Sequence, residues 1–225
     1  IVGSCRENAN SAVPALIEML EDTEWRVREA AANSLQKIGP AAREALPTLD
    51  IKTNEIRAVI ACALYHAAQE TYRNRTADGE APFDYAQALK GKNSLVESKD
   101  PNSDVSGLIS KAFAEAEGEP GAGTAFHGYR FKILKAQGAN VQGGKLSYMV
   151  GDAMTLGHAL VAYPSEYGVT GQHTFVINRI GEVYRKDFGD ATHAAVKDMT
   201  EYNPDDTWLL TRTLSTHSDQ PTPTF

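Results

Sequence analysis

At 225 residues, with 22 basic against 29 acidic side chains, the chain suits one large or two modest domains and carries an acidic balance. No Lys/Arg cluster supplies the electrostatic footprint that phosphate contacts need, which argues against nucleic acid as a partner. The longest apolar stretch, Ala58 to Ala68, includes Tyr65 and His66 and falls far short of the ~20 residues that cross a bilayer, so no membrane span is expected.

In the first fifty residues Ala12-Val13-Pro14-Ala15-Leu16 recurs as Ala45-Leu46-Pro47-Thr48-Leu49, a period of a few tens of residues. Between the echoes, Val13, Leu16, Ile17 and Leu20 follow the spacing of one helix face, and Val27, Ala31, Leu35 and Ile38 follow that of a second. Gly39-Pro40 ends the second helix. The string Leu20-Glu21-Asp22, then Trp25-Arg26-Val27-Arg28-Glu29-Ala30-Ala31, closing on Ile38-Gly39-Pro40, resembles a HEAT-type repeat. One such unit cannot bury both of its apolar faces, so residues 1–53 are expected to lean on further repeats, on the downstream domain or on a neighbouring chain. The resemblance implies a scaffold for protein contacts, without catalytic chemistry.

A further helix is predicted from Asn54, as cap, to about Arg75, with Ile56, Ile60, Ala63 and Ala67 on its apolar stripe. A second is predicted over Val105 to Glu117. The period then changes. Tyr129, Phe131 and Ile133 alternate with Arg130, Lys132 and Leu134, the pattern of a half-buried antiparallel strand. Lys145 to Val150, His158 to Tyr163, His173 to Asn178 and Glu182 to Lys186 supply further short runs separated by glycines, and Asn178-Arg179-Ile180-Gly181 reads as a tight hairpin connection. The expected class is α+β: a HEAT-like helical hairpin followed by a long helix packed on an antiparallel sheet, with residues 209–225 as a C-terminal tail.

Ala68-Gln69-Glu70-Thr71-Tyr72, Asp84-Tyr85-Ala86-Gln87, His127-Gly128-Tyr129-Arg130-Phe131, Ala136-Gln137-Gly138, Tyr167-Gly168-Val169-Thr170-Gly171, Val183-Tyr184-Arg185-Lys186-Asp187-Phe188-Gly189 and Asn203-Pro204-Asp205-Asp206-Thr207-Trp208 together resemble the bacterial family DUF2950 over about residues 54–208. That resemblance is to a bacterial family of unknown function and brings no established activity; the expected setting, with the scaffold-like architecture, is the envelope or secreted space, periplasmic or extracellular. The layout of a helix before a glycine-turned sheet is similar to the heads of type IV pilins and pseudopilins at the level of fold, although no strongly apolar N-terminal helix accompanies it.

Catalytic signatures are absent: there is no G-x-S-x-G elbow, no H-E-x-x-H, and neither Cys5 nor Cys62 lies in C-x-x-C spacing, so both read as buried thiols. His66, on an alanine-rich helix, reads as a packed or half-exposed side chain. His127, His158 and His173 lie at strand positions and would make a zinc set only by sharing one sheet face. Tyr129, Tyr163, Tyr167, Tyr184 and Trp208 read as sheet packing before they read as a recognition surface. Asp100, Asn102 and Asp104 reproduce the first oxygen-ligand spacing of a calcium loop, but Val105 and Lys111 stand where an EF-hand needs glycine and glutamate, leaving only a weak loop site as the sole cofactor expectation. The expected function is a non-enzymatic structural or protein-binding subunit, with itself among its partners. The alternative is a hydrolase or ligand-binding enzyme centred on the three sheet histidines and nearby tyrosines.

Overall fold

The structure is a computed structural model describing residues 15–16, 19, 25–38, 46–75, 84–96, 107–120 and 124–214. The chain divides into two compact units, Ile1–Thr53 and Asn54–Phe225.

In the first unit, helix α1 (Trp25–Ile38) shelters Val27, Ala31 and Ser34 while Arg26, Glu29, Ala30 and Asn33 are exposed. Val27 and Ala31 belong to the predicted stripe; the side chains of its other members, Leu35 and Ile38, lie outside the described residues. Helix α2 (Leu46–Arg75) starts earlier than expected, and the predicted cap Asn54 lies inside it. No glycine or proline interrupts the chain after Pro47, and a proline in the first turn costs no hydrogen bond. Asn54 instead donates through Nδ2 to the Thr170 carbonyl at 3.1 Å.

The buried stripe of α2 also differs from the expected one. Ala58, Ala61, Cys62, Tyr65, Ala68 and Tyr72 are buried, whereas Ile56, Ile60 and Leu64 are 48%, 46% and 53% exposed. Small residues let the helix lie close to the sheet, and two tyrosines fill the remaining volume. The helix predicted over Val105 to Glu117 is confined to α3 (Lys111–Glu115), where Ser110 Oγ caps the Phe113 N–H at 3.2 Å. Ahead of it the Leu108 N–H donates to the Leu95 carbonyl at 2.7 Å, and a Cβ on Gly107 would sit 2.6 Å from Val96 Cα, so the backbones touch where a helix was expected.

The main sheet runs β1 (Tyr129–Leu134), β6 (Ala159–Pro164), β7 (His173–Asn178), β8 (Glu182–Asp187) and β9 (Leu209–Thr213), antiparallel throughout. Two small hairpins, β2 (Ala136–Gln137) with β3 (Leu146–Ser147) and β4 (Met149–Val150) with β5 (Ala153–Met154), lie between β1 and β6 in sequence. The predicted connection after Asn178 is a tight turn, with Gly181 at φ +85°.

Strand alternation holds, but the sheet is not half-buried. Phe131, Leu160, Ala162, Phe175 and Ile177 pack with the small stripe of α2. Leu134, Val161, Tyr163 and Val176 pack on the other face with Tyr85, Tyr148, Met154, Tyr202 and Val196 of α4 (Thr192–Asp198). Every residue of β6 is buried, which a strand covered on both faces requires. The expected tail is corrected at its start: Leu209–Thr213 pairs with β8, carrying the sheet past residue 208. Turn residues at Asn203 to Asp206 precede it, as they would precede a strand.

The two sheet edges differ. Residues Ala116 to Gly118 bond to the outer side of β1 through Phe131 N–H to Ala116 O and Gly118 N–H to Phe131 O, both 3.0 Å. All five residues of β9 are exposed, and among the described residues no strand pairs with its outer edge.

Candidate functional site

The three sheet histidines do not converge. His173 opens β7, and Tyr129, which opens β1, pairs with Pro164 at the same end of the sheet, so His127 lies near that end too. His158 precedes Ala159, which pairs with the last residue of β7, and therefore lies at the opposite end. A cleft joining all three would favour the hydrolase alternative, and the register places them at two ends of the sheet.

His173 is held by α2. Its Nδ1 lies 2.9 Å from Glu55 Oε1, and the same oxygen accepts the backbone N–H of Gln172 and of His173, each at 3.0 Å. Tyr129 O–H donates to the His173 carbonyl at 2.8 Å. The three contacts to one carboxylate oxygen tie the helix to the strand.

At the other end, strand alternation directs His158 toward α2, where His66 and Glu70 sit one helical turn apart. One ligand atom from each of the three side chains lies within 4.8 Å of the others. His158 Nε2 is 3.5 Å from Glu70 Oε1; the His158 side chain is fully buried, and that of Glu70 is 41% exposed. Neither nitrogen of His158 has a hydrogen-bond partner, nor does Nδ1 of His66.

Aromatic rings enclose the cluster, with Tyr85 edge-on to His158 at 4.8 Å and Tyr65 at 5.3 Å. Tyr85 O–H donates to Glu70 Oε1 at 3.4 Å and receives Arg73 Nη1–H at 2.5 Å. Burial holds the His158 imidazole down to about 4 and also lowers that of His66. Contact with His158 keeps the Glu70 carboxyl below the ordinary carboxylate range. Near neutral pH the set is thus two uncharged imidazoles and one carboxylate.

Sequence reasoning groups His158 with the other sheet histidines and reads His66 as a packed or half-exposed side chain; His66 is half-buried, and it is His66 and Glu70 that His158 meets. The H-x-x-x-E spacing of His66 and Glu70 was visible, but only the folded sheet end supplies the third member. Of the tyrosines, Tyr129 and Tyr163 are buried on opposite faces and hydrogen-bonded to backbone, Tyr163 O–H to Gly118 O at 2.8 Å. Trp208 and Tyr184 pack against the cluster that holds Tyr163, on the face opposite Tyr129. Cys62 is buried, which pushes its thiol up to about 12, while Cys5 lies outside the described residues. Asp100, Asn102 and Asp104 also lie outside the described residues.

A family model described as "Protein of unknown function (DUF2950)" matches residues 39–210. The chain belongs to the DUF2950 family. A HEAT-repeat model matches residues 2–64, overlapping the start of the DUF2950 match along α2. No curated protein and no solved structure matches the chain.

Several of the motifs that carried the DUF2950 resemblance meet in space. Gln69 is fully buried and grips the backbone of Ala86 from both sides, accepting its N–H and donating to its carbonyl, each at 2.8 Å. A Cβ on Gly138 would lie 2.2 Å from Asn203 Cγ, and Asn203 Oδ1 accepts the Asn140 N–H at 2.9 Å. Gly171 lies against Tyr129, where a Cβ would come 2.3 Å from the phenolic oxygen. These motifs have a structural explanation in the DUF2950 fold.

Proposed function

We propose that this DUF2950 protein is a non-enzymatic protein-binding subunit of the bacterial envelope or secreted space, and that one of its partners is a second copy of itself. The observation that carries this reading is the row Ile56, Ile60 and Leu64, spaced at successive turns of α2 and about half exposed, within the residues matched by the HEAT-repeat model. Repeat helices of that kind bury such rows by stacking on similar helices, so another copy of the same helix is a suitable occupant. The open edge of β9, with Leu209 and Leu210 59% and 54% exposed, adds a strand that a two-fold related copy can extend. Periplasmic or extracellular placement is part of the same proposal.

The test is mass by light scattering over a wide concentration range for the intact chain, Ile60→Asp and Leu210→Lys. Mass should rise with concentration and fall back toward the monomer in Ile60→Asp, with Leu210→Lys reporting the part played by the sheet edge. A strict monomer at every concentration, or assembly indifferent to both substitutions, would overturn the self-association reading.

A further inference from the structure

We propose that His66, Glu70 and His158 form a binding site for a single zinc ion. Two imidazole nitrogens and a carboxylate oxygen are a donor set that zinc takes, leaving a fourth position to water or another ligand, whereas calcium and magnesium prefer sites built from oxygen alone. The partly exposed carboxylate of Glu70 gives the ion a path from solvent, and the buried His158 closes the inner side.

Geometry supports the set. Bonds of ~2.0–2.1 Å in a tetrahedron place two ligand atoms ~3.3 Å apart. The 3.5 Å between His158 Nε2 and Glu70 Oε1 is already close to that value. No pair of ligand atoms in the cluster exceeds 4.8 Å. Small rotations of His66 and Glu70, both only partly buried on the helix face, close the remainder.

A histidine that merely packs in a core is the competing account, and it predicts hydrogen-bond partners for the ring, because buried polar groups are almost always satisfied. His158 departs from that rule: its Nδ1 has no partner, and its Nε2 meets only the Glu70 carboxylate, at a long 3.5 Å. The contrast with His173, whose Nδ1 and backbone N–H both meet Glu55, shows that this fold does satisfy a histidine beside a carboxylate where it serves as a clamp. Around the cluster, the hydroxyl of Tyr85 reaches Glu70 and is itself held by Arg73, the outer support that orients a metal-binding carboxylate.

The experiment uses the full chain, freed of metal with chelator and dialysed, then titrated with zinc by calorimetry and with cobalt(II) by visible absorption. Elemental analysis after re-dialysis gives the stoichiometry. One zinc per chain is expected, together with cobalt bands of a four-coordinate site. Glu70→Gln and His66→Gln should each weaken binding by more than about 10-fold, and Tyr85→Phe by less. Circular dichroism checks that each variant is folded. His158→Gln tests the buried ligand, but its failure to fold would leave the outcome with the two helix variants. Absence of stoichiometric binding in the wild type overturns the site, and so does undiminished binding in both helix variants, which would mark an adventitious ion only.

Discussion

Helix α2 carries two glutamates fifteen residues apart, ~22 Å along the axis at 1.5 Å per residue, and each meets a histidine at one end of the same sheet. At the Glu55 end one carboxylate oxygen takes three hydrogen bonds of 2.9 to 3.0 Å, and Asn54 and Tyr129 fasten the flanking backbone. At the Glu70 end a fully buried histidine faces the carboxylate with Nε2 at a long 3.5 Å and has no partner at Nδ1. Residue type is the same at both ends. Satisfaction of polar groups is what differs, and it separates a clamp from a site.

Removing the clamp should have the largest effect. In Glu55→Ala two backbone N–H groups lose a charged acceptor, which should cost about 2 kcal/mol, or a melting temperature lower by roughly 4–8 °C. Urea denaturation measures it, and a loss under ~0.5 kcal/mol would mean that the clamp adds nothing beyond an ordinary surface contact. Gly128→Ala attacks the same end from the backbone. Gly128 holds φ +77°, and a Cβ there would lie 2.8 Å from Asn54 Nδ2. Strain and crowding together should cost about 1–2 kcal/mol, read from the same denaturation curves, and an unchanged midpoint would show that the loop yields freely.

Acid should loosen the clamp by a smaller amount. Burial alone would push the Glu55 carboxyl up, but the hydrogen bonds from His173 and from the Gln172 N–H outweigh it and leave the group below its ordinary value. A carboxyl depressed in the folded state contributes stability that is fully present above its unfolded value of ~4.3 and is lost as pH falls through the folded one. The stability gap between wild type and Glu55→Gln should therefore be widest near neutral pH and shrink below about pH 4. A gap that stays constant down to pH 3 would contradict the assignment.

The strands were legible because Tyr129 to Leu134 alternates and because His173 to Asn178 and Glu182 to Lys186 are short runs bounded by turn glycines. What hid from the sequence was decided by packing. The spacing puts Ile56, Ile60, Ala63 and Ala67 on the α2 stripe, yet the face that packs on the sheet is that of Ala58, Ala61, Cys62 and Ala68, small residues that allow a close approach. That the sheet is covered on both faces depends on Tyr85, Tyr148 and Tyr202, which arrive from three separate segments. Strand β9 was missed because Leu209 to Thr213 is short and its pairing with β8 contains a bulge at Val183 and Tyr184, so no clean alternation marks it. Half of the histidine cluster was written in the spacing of His66 and Glu70. His158 joins them only through the register of β6, which no local pattern encodes.

The smallest expected effect falls at Glu70. Glu70 is partly exposed, and its described polar contacts are the 3.5 Å approach to His158 and the 3.4 Å contact with Tyr85, neither of which is a strong hydrogen bond. Glutamine keeps the length and polarity of the side chain and removes the charge. In metal-free protein, Glu70→Gln should therefore change unfolding free energy by no more than about 0.5 kcal/mol, in contrast to the loss at Glu55. With zinc present at 100 times its dissociation constant, the wild type should gain about 2.7 kcal/mol by mass action, and the variant much less at the same concentration. The decisive quantity is the difference between these differences, obtained from four denaturation curves. A large loss in metal-free Glu70→Gln would make this end a second clamp, and equal zinc stabilisation of both proteins would place the ion elsewhere.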